Sequence, residues 1–151
     1  MLIPRHLHTW LLHRAWSIQN SRPPDFIISG PEGEYLRRWY AIPRNPFFNI
    51  YVHEFLHSDE ERALHDHMYI NMSLVLQQGY REHFKNRVVH RPIGAIAWRL
   101  PATAHRVELI DGKPAVTIFI AGPRVRRWGF HCPHGWVYWK DFVQQAGKGC
   151  E

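Results

Sequence analysis

From Phe47 to Trp139 the chain is a succession of short β-prone runs with no room for crossover helices between them, and this limits its fold more than any other feature. Asn49–Leu56, Met72–Gln78, Gly94–Leu100, Arg106–Ile110, Ala115–Ala121 and Trp136–Trp139 are rich in Val, Ile, Phe, Tyr and Trp. Turn signals part them: Gln78-Gly79, Arg91-Pro92, Asp111-Gly112 with Pro114, and Gly122-Pro123. Parallel strands need a connection of about a dozen residues or more, usually a helix. The spacing therefore predicts antiparallel strands closing into an all-β sandwich or barrel.

The residues before Phe47 have another texture. His6–Ile18 places Leu7, Leu11, Leu12, Ala15 and Ile18 close to a helical stripe. Ser21-Arg22-Pro23-Pro24 stops it, because the residue before a proline is pushed out of the helical region. Glu32–Trp39 is expected as a second short helix ending before Pro43. The expected organisation is one domain over 1–151: a helical and irregular extension over 1–45, a β-barrel over 46–140 and a tail over 141–151. With 151 residues, 45% of them hydrophobic and 21% charged, the chain can bury one core and is not a disordered segment. No uncharged run approaches the roughly 20 residues of a membrane span. The two cysteines, Cys132 and Cys150, are too few for a disulfide framework. The reading is a soluble cytoplasmic protein.

Twelve histidines stand among the 151 residues, and three have a spacing that chemistry uses. In His65-Asp66-His67 the two imidazoles, at positions i and i+2 of an extended chain, point to one side and can reach one ion. His105 opens another expected strand, which barrel closure can bring beside the first. Three neutral imidazoles with open positions suit Zn, Fe, Ni or Cu, and spacing does not choose among them. Of the others, His53 is the one on an expected barrel strand where it can face a pocket.

Leu64-His65-Asp66-His67, the strand Met72–Leu76 and Gly79 together resemble the first motif of the cupins. Gly94–Pro101 followed by His105 resembles the second. Within that superfamily the chain is similar to the cysteine dioxygenase-type thiol dioxygenases, over roughly residues 35–123, including Ala104-His105-Arg106-Val107-Glu108 and Pro114-Ala115-Val116. The resemblance implies a double-stranded β-barrel (jelly roll), with His65, His67 and His105 as ligands to a non-haem Fe(II) and open places for substrate and O₂. It implies a small anionic or thiol substrate. Tyr35-Leu36-Arg37 resembles the segment that supplies an Arg to the substrate carboxylate, with Arg38 or Arg44 as substitutes. Asp66 and Glu108 flank the two motifs and could each fix a ligand tautomer or lie in solvent.

The departures carry weight. Where cysteine-oxidising relatives have a Ser-x-His-x-Tyr series, this chain reads Thr117-Ile118-Phe119-Ile120-Ala121. Met72, with Asn71 beside it, stands where many cupins place a Glu ligand. A pocket more apolar than one for free cysteine follows, and with it a different substrate. A second reading is a non-oxidative cupin that binds a small ligand or nucleic acid, its metal structural or absent. His57-Ser58-Asp59 with His105 offers a third, the facial triad of a 2-oxoglutarate-dependent oxygenase. The basic, aromatic run Arg124–His134 could contact nucleic acid or hold a second metal through His131, Cys132 and His134, but is expected to close the barrel. The +6 charge fits an anionic partner in general, and the oligomeric state is left open, a dimer included.

Overall fold

The computed structural model describes residues 1–30, 33–59, 63–144 and 150. Helix α1 (Arg5–Ser21) leads into strands β1 (Phe26–Gly30), β2 (Gly33–Tyr40), β3 (Asn49–Phe55), β4 (Leu64–His65), β5 (Asn71–Gln77) and β6 (Tyr80–Phe84). There follow β7 (Arg87–Arg91), β8 (Ile96–Arg99), β9 (Arg106–Leu109), β10 (Ala115–Ala121), β11 (Gly129–Cys132), β12 (Gly135–Tyr138) and helix α2 (Trp139–Gln144). Every strand pairing is antiparallel. One face is a six-stranded sheet in the order β1-β2-β3-β10-β5-β8. The other is built from two three-stranded sheets, β12-β11-β4 and β7-β6-β9. Among the described residues one bridge unites these two: His65 and His105 exchange backbone hydrogen bonds of 2.8 and 2.9 Å.

The apolar runs of β5 and β10 are nearly continuous because both faces of the large sheet are buried. Leu74, Leu76, Val52, Val116 and Trp39 face outward against α1, which contributes Ala15 with Leu11, Leu12 and Ile18. Val75 and Ala115 face inward, where Tyr80, Val107 and Leu109 of the smaller face meet them. Leu76 is 1% exposed, so truncating it to Ala should cost about 2–5 kcal/mol. Across β2, β3 and β10 the inward residues form rungs. Leu36, Phe55 and Ala115 make an apolar one, Arg38, His53 and Thr117 a polar one, and Tyr40, Tyr51 and Phe119 an aromatic one.

The helix α1, and the strands expected around Asn49–Leu56, Met72–Gln78, Arg106–Ile110 and Ala115–Ala121, stand where the sequence predicts them. The second helix does not. Residues 33–39 lie in strand β2, and residue 32 is outside the described residues. Leu36 and Trp39 are buried three apart, a helical spacing, because they pack on opposite faces of a strand covered on both sides. Strands β1 and β2, within the expected extension 1–45, therefore belong to the large sheet. The hairpin β6–β7 also went unpredicted. Its inward positions are Tyr80 and Glu82, and a charge on the inner face hides the alternation that marks a strand.

Candidate metal centre

Strand pairing assembles three imidazoles. His65 sits opposite His105 in the bridge between the two small sheets, and the backbone N–H of His67 donates to Pro101 O at 2.9 Å on the same side. The ligand atoms of His65, His67 and His105 all lie within 4.8 Å of one another. Their ring centroids are 4.8–5.2 Å apart. His67 Nε2 and His105 Nε2 approach to 2.8 Å. Two imidazole nitrogens bound to one ion at about 2.1 Å stand roughly 3 Å apart, so the donor set fits a transition metal. His105 is buried and the other two are half-buried. Burial pushes the His105 pKa down to about 3 against the opposing pull of Glu82, and takes His67 well below the imidazole range. Both are thus neutral at pH 7, the form that ligates.

Behind His105 lies a residue that sequence reasoning missed. Glu82 is fully buried, and its Oε1 stands 2.8 Å from His105 Nδ1, off the line of an ideal hydrogen bond. Arg91 Nε donates to Glu82 Oε2 at 2.7 Å, and Arg99 Nε donates to Oε1. Arg99, itself 3% exposed, also donates to Ser73 Oγ at 2.8 Å, Asn71 Oδ1 at 3.2 Å and Tyr80 Oη at 3.3 Å. Burial would raise the Glu82 pKa, but His105 and Arg99 outweigh it and hold the carboxyl far below its usual range. A carboxylate behind a ligating imidazole fixes its tautomer and raises its basicity. The available signal was the lone acid at the centre of Tyr80–Phe84, two residues from a Tyr and a Phe.

The two acids expected in that role face elsewhere. Asp66, 0% exposed, accepts from Arg126 Nη1 at 2.7 Å, Gly129 N at 2.8 Å, Trp136 Nε1 at 3.0 Å and His131 Nε2 at 3.1 Å. Alternation along an extended chain turns it away from the side that carries His65 and His67. Burial opposes its ionisation, yet these donors hold its pKa below the carboxylate range. Glu108 pairs with Arg81 and His83 on the outside of β9. Asp59 is the acid near His65, its Oδ2 3.6 Å from Nδ1, and it also accepts from Tyr35 Oη and Val107 N.

Arg37 does not reach the interior. Its Nε donates to Glu34 at 2.6 Å and Nη1 lies 3.5 Å from Glu54, beside a groove of about 310 Å³ between α1 and the outer sheet face. The inward arginine is its neighbour Arg38, one of the substitutes named above. It donates from Nε to His53 Nε2 at 2.8 Å and lies 4.6 Å above the Tyr51 ring. His53 does face the interior, 3% exposed and stacked on Phe119 at 4.9 Å. Phe119 lies 6.1 Å from both His67 and Tyr69. Thr117, Phe119 and Ala121 are buried on β10, and His53 and Tyr69 bring polar groups beside Phe119 from other segments.

The other constellations are not assembled. His57 is exposed and Asp59 sits behind His65, so neither joins His105 in a triad, while residues 60–62 of the charged run lie outside the described residues. His131 is committed to Asp66, and Cys132 is bonded to Cys150, which leaves no second metal site through His131, Cys132 and His134. Residues 146–149 of the tail lie outside the described residues. The basic run closes the barrel: Trp128 stacks on Trp139 at 5.6 Å, Phe130 on Phe142 at 3.7 Å, and Phe130 pairs with His65.

No family model and no curated protein matches the chain. Solved structures do. Fe(II)-HppE with the alternative substrate (S)-1-HPP superposes with a TM-score of 0.57 at 15% identity, over 67% of this chain and 56% of that one. A Klebsiella pneumoniae subsp. pneumoniae MGH 78578 protein with a double-stranded beta-helix domain gives 0.53 at 17% identity, over 70% and 90%. The DMSP lyase DddQ from Ruegeria pomeroyi DSS-3 gives 0.52 at 11% identity, over 64% and 51%. The chain thus spans little more than half of HppE and DddQ. At these identities the likeness speaks for architecture alone: the protein has a mainly β, double-stranded barrel like theirs, with a helix before it and a three-histidine cluster inside.

Proposed function

We propose that this protein is a metal-dependent cupin oxygenase, a three-histidine non-haem Fe(II) dioxygenase for a small anionic or thiol substrate other than cysteine. The observation that carries the reading is the convergence of His65, His67 and His105 within 4.8 Å. The fold's occurrence in Fe(II)-HppE supports iron over Zn, Ni or Cu. Bound there, Fe(II) would supply one-electron chemistry with O₂ and open coordination positions. The chain's own residues do the rest. Glu82 orients His105. Phe119, Tyr51 and Tyr69 keep water from the interior. Arg38, in place of Arg37, provides the cation that orients an anionic substrate, with its charge reaching the interior through His53.

The second reading, a non-oxidative ligand-binding cupin, draws on Phe119 and Ala121, which can neither relay a proton nor hydrogen-bond an oxygen species. O₂ uptake separates the two. The Fe(II)-loaded protein should consume O₂ when offered a panel of small thiols and mercapto-acids. Stoichiometric metal without O₂ uptake, alongside salt-sensitive binding of nucleic acid, would favour the second.

No helix among the described residues is long and apolar enough to cross a membrane. Placement in the cytoplasm is part of the proposal. Thiol counting on protein quenched directly from cells tests it, since a persistent Cys132–Cys150 bond points to an oxidising compartment.

A further inference from the structure

Arg38, His53 and Thr117 stand in direct register on β2, β3 and β10, so their side chains share one rung of the inner sheet face. His53 Nε2 accepts the hydrogen bond from Arg38 Nε. An imidazole nitrogen that accepts carries no proton, so neutral His53 holds its hydrogen on Nδ1. Burial, with the Arg38 charge beside it, pushes the His53 pKa well below the imidazole range and keeps it in that form. Nδ1 is fully buried and meets no acceptor. Across the strand, Thr117 Oγ1 is buried without a partner as well. The two residues are 3% and 1% exposed, and each unmade hydrogen bond there is a cost to folding. A Val at 117 and a Phe at 53 would remove it. Register puts these two donors on one rung with a guanidinium behind His53, and a single acceptor carrying negative charge would satisfy both. His53 stacks on Phe119, whose ring lies 6.1 Å from His67, so the pair is one aromatic ring away from the imidazole cluster.

We propose that His53 Nδ1–H and the Thr117 hydroxyl form a subsite for the anionic oxygen of a small organic acid, held inside the barrel beside the three histidines. The proposal rests on the reading of this interior as a ligand site and names the group of the ligand that enters first. Arg38 serves the subsite indirectly, fixing the His53 tautomer and lending its charge through the ring.

The test uses metal-free protein with acetate and its neutral counterpart of similar shape, acetamide, followed by ligand-observed NMR. Acetate should bind about tenfold or more tightly than acetamide. Thr117→Val, which keeps the shape and removes the hydroxyl, should weaken acetate about tenfold while leaving the melting temperature equal or higher. Thr117→Ser should restore binding, and His53→Phe, which keeps the stack on Phe119, should weaken it. Unchanged acetate binding in Thr117→Val and His53→Phe would overturn the subsite. So would a Thr117→Val protein that melts several degrees lower with acetate binding intact, since the hydroxyl would then belong to the fold. Acetate binding no tighter than acetamide would also overturn it and leave an ordered water as the partner of both groups. The oxygenase reading fails separately: acetate bound as expected by a protein whose Fe(II) form takes up no O₂ leaves the subsite standing and removes the reaction.

Discussion

Two carboxylates among the described residues are fully buried, Asp66 and Glu82, and they do opposite work. Asp66 stands between two of the three clustered histidines in sequence, yet its four donors, Arg126, Gly129, His131 and Trp136, all belong to the C-terminal segment. Glu82 is 15 residues beyond His67 and contacts His105 directly, with Arg91 and Arg99 around it. Neighbourhood along an extended chain alternates between faces, so the residue beside a ligand is the one least able to touch the ion. Pairing across strands brings β6 beside β9, with Glu82 opposite Val107. Asp66 ties the β11–β12 hairpin to β4, whereas Glu82 sets the ring of His105.

Substitutions should separate these roles. The largest effect falls on stability: Asp66→Ala leaves the half-buried Arg126 and several donors without their acceptor and should cost about 3–5 kcal/mol in denaturant unfolding. Metal affinity of the fraction that remains folded should change little. Equal loss of stability and of metal in Asp66→Ala would erase the contrast. Glu82→Gln keeps the shape and removes the charge, and should weaken metal binding by about 10–100-fold in a chelator competition. Affinity within twofold of wild type would take Glu82 out of the site.

The pH dependence of stability sharpens the contrast further. His53, His67 and His105 are held neutral in the folded chain, while the unfolded chain binds protons on them below about pH 6.5. The melting temperature of metal-free protein should therefore start to fall as pH drops through that value. A second fall should begin near pH 4, where unfolded Asp66 takes up a proton that the folded carboxylate refuses until lower pH. Asp66→Asn should remove part of the second fall and leave the first in place. The smallest effects belong to the exposed pairs. Glu108→Gln and Arg37→Ala should each change stability by less than about 1 kcal/mol, and Arg37→Ala should leave acetate binding at the wild-type value. A large loss of acetate affinity in Arg37→Ala would place that side chain inside the barrel.

Much of this architecture is legible in the sequence. The β-prone runs and their turn residues mark the barrel, and His65, His67 and His105 have the spacing of one site. What could not be read traces to two physical causes. Strands buried on both faces lose their alternation, so Leu36 and Trp39 imitate a helical pair, and nothing in the local pattern tells Arg37 from Arg38. A buried charge on an inward position disguises a strand, which hid β6 and with it Glu82. The partnerless His53 Nδ1 and Thr117 Oγ1 become visible only once register places them on one rung.

The central claim is that three histidines hold one metal ion. Elemental analysis of protein purified without a His tag and without added metal tests it directly. The account predicts close to one transition-metal ion per chain, predominantly iron, in the natural protein and none in folded His65→Ala or His105→Ala. Full metal retention in both variants would contradict it.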